Sequence, residues 1–138
     1  MQVTTRYLNF PALLYRVGHA DSSQGLWYDG DGQETGIIHS LKDGAAGALP
    51  MGPHEVFKAD GRAWISATDN LPDLGRWFSH ADMIELLDRG YQLEEIGVHR
   101  YRYLQFATYG HQVFCVEDVI FRRAIDPMLP YQPVRRAA

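Results

Sequence analysis

One arginine interrupts an otherwise apolar run near the start of the chain, Leu13-Leu14-Tyr15-Arg16-Val17. A guanidinium buried without a partner is very costly. Arg16 therefore pairs with an acid of the same chain, sits at a solvent-facing edge, or faces a ligand. Further on, Ser66 and Thr68 flank Ala67 at the two-residue repeat of a strand, which lets both hydroxyls project to one side. Thr68 also stands where a hydroxyl caps a following helix. Glu117 and Asp118 follow an apolar run and read as a turn between strands. Cys115, inside that run, reads as a buried, inert thiol. The six histidines (His19, His39, His54, His80, His99, His111) have no His-x-x-x-His or Cys/His ligand spacing, so no metal is expected. His19 comes just after the first predicted strand. Arg100-Tyr101-Arg102-Tyr103 alternates cations and aromatics, a pattern shared by some strand-based RNA binders and by amphipathic strands with tyrosines turned inward.

These groups need elements to hold them. The patterning predicts strands over 12–17, ended by Gly18, and over 63–67 and 112–116. Residues 91–105 read as one or two strands, and 119–125 as a last one. Pro72 at a first helical position and Leu71, Leu74 and Phe78 on one face predict a helix over 71–78. Ser79-His80-Ala81-Asp82 opens a second helix over 80–89, stopped by Gly90. Residues 18–63 are glycine-rich, and a hairpin of Gly25-Leu26-Trp27-Tyr28 with Thr35–His39 is expected around Asp29-Gly30-Asp31-Gly32. Pro127, Pro130 and Pro133 predict an extended or frayed tail. The fold class is α+β, antiparallel strands with two short helices, in one domain over 1–126 followed by a Pro-rich tail over 127–138.

Composition agrees with an ordinary globular chain: 138 residues, 46% apolar and 22% charged, enough for one core. No apolar run reaches the roughly 20 residues that span a bilayer, so no membrane is expected. The N-terminal stretch is broken by Asn9, Pro11 and Arg16 and is no signal peptide, which points to the cytoplasm. The net charge of −4 is unevenly spread, residues 21–95 carrying 14 acids against 5 bases. That acidic middle argues against nucleic acid as a partner. Eleven of the 13 cations are arginine, the better residue for bidentate contacts to carboxylate or phosphate.

Together these pieces resemble the ADP-ribosyltransferase fold. Tyr15-Arg16-Val17-Gly18 is similar to its first element, and Ile65-Ser66-Ala67-Thr68 to its Ser-x-Thr strand. Gly110-His111-Gln112-Val113-Phe114 matches the third element, where the family's catalytic glutamate falls on Gln112 and its substrate-positioning residue on Gly110. The first of these stretches, with Gly25-Leu26-Trp27-Tyr28, also resembles RES-type NAD-degrading domains. With Ser66-Ala67-Thr68-Asp69 and Trp77-Phe78, the glycine-tryptophan stretch is similar to small proteins of bacteriophages. The resemblance implies a split-sheet core and NAD as cofactor, held by Arg16, Gly18, Ser66 and Thr68. It puts the catalytic position at Gln112, with Ser66 orienting it. Gln112 is neutral, so Glu117 is the alternative carboxylate if the backbone turns back. The implied function is an ADP-ribosyltransferase or NAD glycohydrolase of a phage or mobile element, with a host protein as target. A second expectation comes from another class: a non-enzymatic inhibitor of a host factor, of anti-defence or anti-CRISPR type, acting through its acidic surface.

Overall fold

The computed structural model describes residues 2–21, 25–26, 33, 35–42, 58–59, 62–105 and 110–132. In chain order the elements are β1 (Gln2–His19), β2 (Lys58–Ala59), β3 (Arg62–Ala63), β4 (Ile65–Ala67), α1 (Leu71–Trp77), α2 (His80–Asp88), β5 (Tyr91–Gln105), β6 (Gly110–Phe114) and β7 (Val119–Ala124). The class is α+β, with antiparallel pairing and two helices, as the patterning requires.

β5 is the organising strand. It pairs with β1 along one edge, from Gln2↔Gln105 to His19↔Tyr91. Its other edge is shared: β7 lies against Glu94–Val98 and β6 against Arg102–Gln105. β4 pairs with β6. One residue past β4, Thr68 exchanges both backbone hydrogen bonds with Tyr15, at 2.7 and 2.9 Å. The order β1-β5-β6-β4 therefore returns to β1, and the strands form a ring closed at Tyr15–Thr68. β2 and β3 make a separate two-stranded ribbon.

Cross-strand partners share a face, and that assigns the core. Leu14, Ala67, Ile96, Val98 and Phe114 fill the inside of the ring. On the other face, Val17 and Leu93 meet Leu74 and Phe78 from the α1 segment and Met83 and Leu86 from α2. Trp64, Leu104, Val113 and Cys115 form a third cluster. Each such side chain contributes roughly 1.5–3 kcal/mol of burial. The helix starts follow the expected chemistry. The Ser79 hydroxyl accepts from the Asp82 N–H at 3.0 Å, and Gly90 ends the second helix region with φ of 89°. Before α1, the Thr68 hydroxyl accepts from the Asn70 N–H at 3.1 Å and donates to Asp73 at 3.0 Å.

Several expectations change. β1 begins at Gln2 rather than residue 12, because β5 extends to Gln105 as one strand and offers it a partner throughout. Its register breaks once, where Leu8–Pro11 face His99 alone. Ile38–Ser40 forms a 3-10 turn with Ile38 buried, not the second arm of a hairpin; Trp27–Gly32 lie outside the described residues. β6 stops at Phe114, and Val116–Asp118 is a 3-10 turn. The tail does not fray as far as it is described. Leu129–Tyr131 is a 3-10 turn packed on α1, and the Tyr131 hydroxyl donates to the Phe78 carbonyl at 2.9 Å.

Candidate functional site

Arg16 takes the first of its alternatives. Across the β1–β5 ladder its Nη1 donates to Glu94 Oε1 at 3.1 Å, and both side chains are buried. The other Glu94 oxygen accepts from Gln92 at 3.1 Å and from Arg122, which also donates to the His19 carbonyl at 2.5 Å. The Arg16 guanidinium lies 5.7 Å from the centre of the Phe114 ring. Burial lowers its pKa to about 10, against the pull of Glu94. Gly18 makes room for this pair, since a Cβ there would lie 2.6 Å from both the Arg16 guanidinium and the Glu94 carboxylate. Arg16 and Gly18 thus build a buried charge cluster.

Register separates Ser66 from Arg16. Ala67 pairs with Gln112 and packs inside the ring with Leu14; Ser66 pairs with Val113 and faces the opposite way. There its hydroxyl meets His111 Nδ1 at 3.1 Å. His111 is 1% exposed, and burial pushes its pKa down to about 4. The Thr68 hydroxyl is occupied by Asn70 and Asp73. Glu117 is 69% exposed in the turn after β6 and pairs with Arg62 at 3.5 Å; its neighbour Asp118 bridges Arg62 and Arg100, each at 3.0 Å. Of the expected site residues, only Gln112 and Gly110 face the cavity described next.

That cavity, about 330 Å³, opens where the ring is not closed, between Arg6 of β1, Tyr101 and Tyr103 of β5, Gly110 and Gln112 of β6, and Asp69 and Asp73 at the start of α1. Gln112 is 6% exposed. Its Oε1 accepts from the Asp69 N–H at 3.2 Å, so its Nε2 is left to donate into the cavity. Asp73 is held by Thr68 and Arg76. Arg6 is exposed and makes no ion pair among the described residues. Tyr103 lies over Gly110, whose missing Cβ leaves space for the hydroxyl. The cavity thus offers a cation at one side, carboxylates at another, an amide donor at its base and two phenol rings. It suits a ligand that carries both an anionic and a cationic group and a carbonyl acceptor.

The sequence reading missed Arg6, Asp69 and Asp73 as cavity residues; it offered inward-turned Tyr101 and Tyr103 as one reading of their strand but did not place them at a site. The Tyr-x-Tyr spacing was a usable signal, but which face it served depends on the β5–β6 register. Glu94, the partner of Arg16, was signalled by two acids inside the apolar stretch Leu93–Val98. Among the described residues no three His, Cys, Asp or Glu stand together as a metal site, and no helix is long and apolar enough to cross a membrane. No family model matches the chain, and neither a curated protein nor a solved structure is found similar to it.

Proposed function

We propose that this chain is an ADP-ribosyltransferase-like nucleotide-binding domain that takes a nicotinamide nucleotide at the open mouth of the ring, away from Arg16. The observation that carries the reading is Gln112: a buried side chain whose acceptor is used by Asp69 and whose donor faces a cavity with Arg6 on its rim. The adjacency of the three resembling elements supports it, since β1 meets the end of β4 at Tyr15–Thr68 and β4 meets β6 at Ala67–Gln112. In this reading Arg6 holds a phosphate, Gln112 Nε2 donates to the carboxamide oxygen, and the pyridinium ring lies against Tyr101 or Tyr103 with Asp69 beside its charge.

Binding is separable from cleavage. Breaking the nicotinamide–ribose bond develops positive charge on the sugar, and Gln112 supplies no compensating charge. The test is thermal melting with NAD. At 100 times the dissociation constant, stability rises by about 2.7 kcal/mol, and Gln112→Leu removes the rise. Gln112→Glu keeps the acceptor for Asp69 and adds a carboxylate, so NAD cleavage increases by roughly 100-fold or more over a trace level. A melt indifferent to NAD, NMN and ADP-ribose alike would falsify the reading.

A second reading, contact with a partner protein, is favoured by Phe10 and Tyr7, which stand 82% and 73% exposed on β1.

A further inference from the structure

β1 is paired on one edge and open on the other. Over Gln2–Tyr7 it is hydrogen-bonded to β5, from Gln2↔Gln105 to Tyr7↔Arg100. On its outer edge the described residues supply one backbone partner, Thr68 at Tyr15, and the Arg122 side chain at His19, both well beyond this stretch. All six residues are exposed. A strand in this state directs half of its N–H and C=O groups outward, and over Gln2–Tyr7 no backbone group of the described residues meets them. The usual protections are placed further along: the register break at Leu8–Pro11, and Pro11, which has no N–H to offer. They leave a bare edge of about six residues, the length of a short added strand.

We propose that this edge receives an extended segment of a partner protein that alternates acidic and apolar residues and adds antiparallel or parallel to β1 as a further strand. The charge of the surrounding surface chooses the partner. No Asp or Glu occurs from Met1 to His19 or from Ile96 to Val116, so β1, the distal half of β5 and β6 form an acid-free unit carrying Arg6, Arg100 and Arg102 besides the buried Arg16; the acids nearest Arg6 in the cavity are Asp69 and Asp73, the latter already held by Thr68 and Arg76. Arg100 and Arg102 are engaged, the first by Asp118 and the second over Trp64 at 4.2 Å. Arg6, on the bare edge, is exposed and makes no ion pair among the described residues. The alternation follows from the pleat. Arg6 and Thr4 look to the cavity side, while Val3 and Tyr7 look to the other, at 45% and 73% exposure. An added strand meets Arg6 on one face and, on the other, Val3 and the Tyr7 ring, whose centre lies 5.7 Å from the Arg100 guanidinium. A second copy of the chain would bring two acid-free edges and two arginines together, which the charge disfavours. Main-chain bonds supply the affinity and alternate side chains the selection. The proposal shares Arg6 with the nucleotide reading but rests on the backbone edge of Gln2–Tyr7, so it stands or falls whether or not NAD changes the thermal melt.

The test is an NMR titration of the isotope-labelled full chain with an acetylated, amidated hexapeptide of alternating Glu and Val. The expected result is amide shifts concentrated on Gln2–Tyr7 and slowed exchange of alternate amides there. Arg6→Glu weakens binding roughly tenfold, and a peptide N-methylated at alternate residues does not bind. The proposal is overturned if the peptide leaves Gln2–Tyr7 unmoved, if the N-methylated peptide binds as well, or if a Lys/Val peptide binds as tightly as the Glu/Val one. It is also overturned if those shifts arise on concentrating the protein alone, which assigns the edge to a second copy, or with a thymidine hexanucleotide in place of the peptide.

Discussion

At Arg16, three residues far apart in sequence, Arg16, Glu94 and Arg122, meet in one charge cluster. Removing the guanidinium leaves Glu94 buried beside Arg122 alone. Breaking a buried pair from one side costs about 3–5 kcal/mol, so Arg16→Met lowers the denaturation midpoint sharply. Replacing both partners with apolar residues of similar volume, Arg16→Met with Glu94→Met, recovers much of the loss, as equilibrium urea unfolding of the single and double variants will show. His111 gives a second outcome at this scale. Its folded pKa is about 4, against 6.5 when unfolded, so the unfolded chain binds the proton first as pH falls. The stability is complete above pH 6.5 and is lost progressively down to about pH 4, by roughly 3 kcal/mol. His111→Gln flattens that part of the pH profile of the urea midpoint. Composition marked Arg16 as a residue needing a partner or a ligand. It did not say which, because the partner is chosen by a ladder between strands nearly 80 residues apart (a separation of 78).

Elements near each other in sequence were the more legible ones. Ser79 and Gly90 bracket α2 by local chemistry, and Pro72 opens α1, so both helices read correctly from their own residues. Ring closure is not local. Nothing in Ile65–Thr68 announces that the strand ends against Tyr15, so Ser66 and Thr68 read as a pair sharing a ligand with Arg16, whereas Ser66 faces His111. The proline-rich segment was misread for the opposite reason. Prolines weaken regular structure, yet Pro130 and Tyr131 dock on α1 because Gly75 leaves a gap for them. A Cβ at Gly75 would sit 2.7 Å from the Pro130 carbonyl oxygen. Gly75→Ala therefore sets two effects against each other. Alanine favours an exposed helix by about 1 kcal/mol, while the clash with backbone costs about 1–3 kcal/mol. The clash wins where the turn stays docked, so the variant is less stable. Alternatively the turn lifts, and amide exchange over Asp126–Gln132 speeds up with little change in global stability. Faster exchange there or a lower urea midpoint is the expected outcome, and a variant more stable than wild type contradicts the docking.

Across the whole molecule, charge and topology divide the chain in the same way. The acidic stretch from 21 to 95 contains both helices, and the acid-free strands carry the cavity's tyrosines and Gln112. The fold class was legible because it needs only the number and type of elements. The cavity was not, because its walls come from the first strand, the start of the first helix and two late strands, and only the assembled ring brings them together. The cavity belongs to that assembled mouth and not to any one motif.

The long β1–β5 ladder also has a history in time. β1 leaves the ribosome before β5, whose pairing residues emerge roughly 70 to 100 residues later, which at 5–20 residues per second is on the order of several seconds. Through that interval an 18-residue segment with Phe10, Tyr7 and Leu13 among its side chains lacks the β5 strand it pairs with along its length. Chaperone capture or premature pairing with another nascent chain therefore competes with folding at this stage, and contacts of such sequence separation are slow to close even afterwards. Ribosome-stalled chains ending at Asp88 should be cut readily within β1 by added protease. Chains stalled far enough on for Gln105 to have cleared the exit tunnel should become resistant there.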